Sequence, residues 1–108
     1  MTSKKAPSGR RAVPPRPSDR TKAFAEDWTR LSHSGRYDMR RLKEVLLLIA
    51  NDAPLGPEWL DQPLQGEWSD HRECHVGGDF LLIYRLGSSD SDGPITFVRA
   101  GTHAELFE

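Results

Sequence analysis

HRECHVGGDFLLIYRL, residues 71 to 86, decides how this chain folds. Two adjacent glycines, Gly77 and Gly78, separate two runs with β-forming residues, and such a pair signals a hairpin. The reading is a strand over 71–76, a two-residue turn, and a return strand from Phe80 to Leu86. With the glycines as the loop, His75 faces Phe80, Glu73 faces Leu82 and His71 faces Tyr84 on one side. Arg72, Cys74, Val76, Leu81 and Ile83 fall on the other, more aliphatic side, which is expected to contact helices. A loop from Gly87 to Pro94 then leads to a third strand, Ile95 to Gly101.

Upstream, Pro54, Gly56, Pro57 and Pro63 mark an irregular stretch. Before it, Met39, Leu42, Val45, Leu46 and Ile49 recur at helical spacing behind a capping Asp38, and Asn51 and Pro54 end the run. Its Leu46-Leu47-Leu48 triplet widens the apolar surface, so this helix is expected between the sheet and either the first helix or a partner. The first helix is read over about residues 19 to 33, with Ser18 as N-cap, Phe24, Trp28 and Leu31 on one face, and Gly35 as the stop. The expected fold class is α+β: an N-terminal helical hairpin packed on one face of a small antiparallel sheet. The domain is read as 18–108, preceded by a basic Pro- and Ser-rich arm, 1–17, expected to be disordered.

The chain has 108 residues, enough for one domain with a modest core. No apolar run approaches the roughly 20 residues that span a bilayer, there is no secretory h-region, and the single Cys74 cannot form an internal disulfide. These point to the cytoplasm and away from a membrane. The net charge of -1 hides an asymmetry: residues 1 to 22 hold seven of the 15 Lys and Arg against Asp19 alone, so that segment is strongly positive and the body acidic. An acidic body argues against RNA binding unless its positive charges cluster or the arm contributes.

Two histidines, a carboxylate and two aromatics on the sheet face turned from the helices make a plausible site, although such faces are often polar for ordinary reasons. Zinc is the rival reading, since His71, Cys74, His75, Asp79 and His103 include good ligands. Strand geometry weighs against it, because His71 and His75 would lie roughly 13 Å apart with Cys74 pointing to the opposite face. Neither a metal nor another cofactor is expected.

Pro63-Leu64-Gln65-Gly66, Arg72, His75-Val76, the run Asp79 to Tyr84, Arg99, Gly101-Thr102-His103-Ala104 and Leu106-Phe107 together resemble YafQ-type toxins of the RelE/ParE superfamily in order and spacing. The resemblance runs from about Ser18 to Glu108. It implies the RelE-like fold, ribosome-dependent and metal-independent cleavage of mRNA, and neutralisation by a co-encoded antitoxin. It also implies that His75, Asp79, Phe80, His103 and Phe107 line the active site. Arg72 and Arg99 are candidate phosphate ligands, with structural pairing to acids as the even alternative. The chain departs from the pattern at Gln62, where the related toxins carry a histidine, and at His71, where the pattern has an aromatic residue. Glutamine cannot exchange a proton near neutral pH.

The residue types suit RNA cleavage, because RNA supplies its own nucleophile in the 2′-hydroxyl. Histidines near pKa 6.5 can serve as base and acid, Asp79 can orient one of them or act as base, and Phe80 and Phe107 can stack on a base. The alternative is a toxin-fold protein that acts by binding alone, in the manner of ParE or within a regulatory complex, and Gln62 and the acidic body favour it.

Overall fold

The computed structural model describes residues 17–87 and 94–107. The expected disorder of the arm and most of the loop after Gly87 lie outside the described residues. A five-stranded sheet in the order β1-β5-β4-β3-β2 is built from β1 (Ser18–Arg20), β2 (Gln62–Pro63), β3 (Arg72–Gly77), β4 (Phe80–Leu86) and β5 (Ile95–Thr102). Among the described residues only β1 and β5 pair in parallel. The helices are α1 (Lys22–Ser34), α2 (Met39–Ala50) and the short α3 (His103–Phe107). Among the described residues, no helix is long and apolar enough to cross a membrane.

Helix α2 forms as its sequence dictates: Asp38 accepts a hydrogen bond from the Arg41 amide, and Leu42, Val45 and Ile49 are buried. Helix α1 starts later than expected. Ser18 is not its cap but the first residue of β1, paired with Ile95, and Thr21 takes the capping role. The Thr21 hydroxyl accepts from the Phe24 amide and donates to the Val98 carbonyl at 2.7 Å, so one side chain both caps α1 and ties it to β5. Gly35 ends the helix at φ 70°, a left-handed conformation glycine adopts readily. Helix α1 packs on β5 and α2 on β3, so of the two arrangements expected for α2 the one with α1 as its outer cover is not found. A cleft of about 650 Å³ lined by Phe24, Trp28, Leu46 and Leu47 lies between the two helices.

The hairpin departs from its expected register by one residue. Gly78 (φ 50°) and Asp79 form the turn, Gly77 pairs with Phe80, and a bulge at Val76 separates this pair from His75 opposite Leu81. Because side chains alternate along a strand, the shift turns all of β4 over. Phe80, Leu82 and Tyr84 join Cys74 and Val76 against α1 and α2, while Leu81 and Ile83 go to the other face. The bulge keeps Val76 in the core, and the Arg41 Nε donates to its carbonyl at 2.7 Å. On the second face, α3 supplies Leu106 and Phe107, and a 3-10 turn over Gly66–Trp68 supplies Trp68. From Phe80 to Tyr84, β4 is therefore buried on both sides.

Candidate active site

Glu73 and His75, two residues apart on β3, point to the face that carries α3. Leu81 and Ile83 lie directly across from them on β4 and form a buried floor. On the outer flank, Gln62 of β2 sits opposite Glu73, and its Nε2 donates to Glu73 Oε2 at 2.6 Å. The same oxygen lies 3.9 Å from His75 Nε2. At 31% side-chain exposure, His75 is open to solvent, whereas Glu73 is nearly covered at 11%.

A chain of rings borders this group. Trp68 meets His71 edge-on at 5.1 Å and Phe107 at 5.7 Å, and Phe107 meets His103 at 4.9 Å. His71 Nδ1 is 2.7 Å from Asp70 Oδ1, and this bond holds the Asp70 carboxyl below its ordinary range. Asp79, in the hairpin turn, accepts from the His103 backbone N–H at 3.1 Å and so fixes the start of α3. His75, Leu81 and Gly101 form one row across three strands, which places the β3 and β5 backbones roughly 10 Å apart here. His75, Asp79, His103, Phe107 and Gln62 thus belong to one side of the molecule.

Phe80, expected beside His75, is on the opposite face, buried and 5.0 Å from the Tyr37 ring, because of the register shift. It cannot stack on a base from there. Arg72 is bound to Asp61 at 2.7 Å on the helix face, where Asp61 also accepts from the Tyr84 hydroxyl. Arg99 donates to Asp27 of α1 at 2.7 Å. Both arginines take the structural alternative, and the hydrogen bond to the carboxylate raises the pKa of each guanidinium. Burial pushes the Cys74 thiol up to about 12, so it stays protonated in the core. Among the described residues, no group of three or more His, Cys, Asp and Glu side chains is placed to hold a metal ion. Trp68 was missed in the sequence because it stands alone in an irregular stretch with no periodicity to read.

Comparison with known proteins places this geometry in context. Residues 16–108 match the family described as "Bacterial toxin of type II toxin-antitoxin system, YafQ". The mRNA interferase toxin YafQ of Escherichia coli K12 is 43% identical over 79 residues, covering 72% of this chain and 82% of that protein. The crystal structure of YafQ from E. coli BL21(DE3) superposes with a TM-score of 0.76 at 35% identity, covering 86% of this chain and 99% of that one. YafQ in the E. coli DinJ-YafQ toxin-antitoxin complex gives 0.74 at 36% identity, covering 86% and 98%.

Proposed function

The chain belongs to the YafQ family of bacterial type II toxins, and from that membership we propose that it is an mRNA interferase, an endoribonuclease that cuts messenger RNA on the ribosome. What supports the reading at the level of residues is that His75 points to the sheet face that carries α3, where His103 meets Phe107 and the turn residue Asp79 bonds the start of the helix. One histidine removes the proton of a ribose 2′-hydroxyl, whose oxygen then attacks the adjacent phosphorus. The bond from phosphorus to the 5′-oxygen breaks, and the other histidine protonates that oxygen. The products are a 2′,3′-cyclic phosphate and a 5′-hydroxyl. Asp79 keeps His103 in place through the backbone, while Phe107 and Trp68 offer rings on which an unpaired base can stack.

Arg72 and Arg99 are committed to Asp61 and Asp27, so phosphate contacts fall to other cations. The richest source is the stretch 1 to 22, with its seven basic residues. By analogy with the DinJ-YafQ complex of E. coli, a co-encoded antitoxin covers the domain and silences it in the cytoplasm. The test is inducible expression in a bacterium with mapping of new mRNA 5′ ends, repeated with purified protein and message with and without ribosomes. New ends in translated messages that require ribosomes are expected. Growth arrest without new ends would transfer the function to binding alone.

A further inference from the structure

Asp27 and Glu73 are the buried charged residues among those described. Asp27 is matched by two arginines. Among the described residues Glu73 has neither a lysine nor an arginine as salt-bridge partner: its partners are the Gln62 amide at 2.6 Å and the His75 ring at 3.9 Å. A covered carboxylate whose neighbours are an amide and an imidazole is under-compensated, and the imidazole is the neighbour able to answer with a positive charge. The cross-strand pairing of Gln62 with Glu73 builds the contact into the sheet. An amide also suits this place better than a second titrating ring would, because it donates a hydrogen bond without exchanging a proton.

We propose that Gln62 and Glu73 are positioning residues for His75: the Gln62 amide fixes the Glu73 carboxylate, and the carboxylate holds the ring with its proton on Nε2, leaving Nδ1 to exchange a proton with the RNA. The inference rests on the acid–base reading of His75 above. Nε2 is the nitrogen that faces the carboxylate, and Nδ1 has no protein partner among the described residues. When Nδ1 takes up a proton the ring becomes an imidazolium, and Glu73 stabilises it. When Nδ1 gives the proton up, the ring returns to the Nε2–H form. The contact at 3.9 Å is longer than a hydrogen bond and tightens when substrate excludes water.

The test is nitrogen-15 NMR of His75 in the full-length chain, above the pH at which its ring titrates, together with cleavage kinetics. The parent is expected in the Nε2–H tautomer. Glu73→Gln keeps the shape and can still accept from Gln62, but it removes the charge; it should lose the tautomer bias and lower kcat by about 10- to 100-fold with little change in KM. That loss is below the ~10,000-fold seen when the carboxylate of a tightly bonded triad is neutralised. Gln62→Ala should weaken the bias, and Gln62→His, which restores an N–H donor, should recover it. Thermal melts confirm that each variant is folded. A Glu73→Gln protein with the parent's tautomer overturns the proposal, whether or not cleavage falls, because the carboxylate then does not set the ring. A shifted tautomer with parental kcat also overturns it. If His75→Ala cuts like the parent, the acid–base reading has failed, and the NMR result still reports on the ring.

Discussion

On the helix face of β3 and β4, Cys74, Val76, Phe80, Leu82 and Tyr84 are at most 4% exposed, and the charges at its border, Arg72 with Asp61 and Arg99 with Asp27, are paired. On the opposite face the same two strands present Leu81 and Ile83 as a floor, with His75 open above it and Glu73 lacking, among the described residues, a cationic partner other than that histidine. The first arrangement closes every polar group it can and derives its stability from apolar burial. The second leaves ionisable groups near solvent and near one another, where they can bind and exchange protons. Substitutions on the two faces should therefore separate stability from activity.

The largest separation is expected on the open face. His75→Ala and His103→Ala should each lower ribosome-programmed cleavage by about 100- to 10,000-fold, the usual cost of losing a general acid or base. Their urea midpoints should correspond to a change within about 1 kcal/mol of the parent, since partly exposed side chains contribute little packing. Parental cleavage by both variants would sink the division between the faces. Phe80→Ala is the mirror experiment: a loss of roughly 3–5 kcal/mol in urea unfolding, with cleavage per folded molecule unchanged. A selective loss of cleavage there would restore Phe80 to the site. Next in size, Asp27→Ala should cost about 2–4 kcal/mol, because it strands Arg99 and the Ala100 amide. The fall stays below the buried-pair maximum because Arg30 and Arg99 reach solvent.

The features read correctly from sequence are those fixed by neighbours along the chain. The Asp38 cap, the period of Leu42, Val45 and Ile49, and the Gly35 stop are all local. The hairpin turn was off by one because Gly77-Gly78 and Gly78-Asp79 both make good two-residue turns. Only a polar face on β4 would have set the register, and from Phe80 to Tyr84 that strand has none. Ser18 looks like a helix cap until β5, more than 70 residues later, pairs with it. The partners of Arg72 and Arg99 are likewise invisible, since Asp61 and Asp27 come from distant segments. His71 and His75 were legible as a pair of histidines on one strand, whereas His103 entered the candidate site only through the family resemblance. The setting of these histidines was not legible, because α3 has five residues, too few for a period, and Trp68 sits in an irregular turn.

The smallest expected effect sharpens the comparison by pH. Burial alone would raise the Asp27 carboxyl, but hydrogen bonds from Arg99, the Ala100 amide and Arg30 outweigh it and hold it below its ordinary value. In the unfolded chain the same group titrates near 3.9 or so. The folded state therefore binds this proton less readily than the unfolded one, so the stabilisation is complete above the unfolded pKa and is lost as pH falls through the folded one. Asp27→Asn keeps the shape but has no charge to titrate. Urea unfolding of parent and variant from pH 6 down to about pH 3 should show the parent's advantage largest at the upper end and shrinking as the solution becomes acidic. A difference that stays constant over that range would mean that Asp27 is matched equally well in the protonated state, and that the helix face owes its acid sensitivity to some other carboxylate.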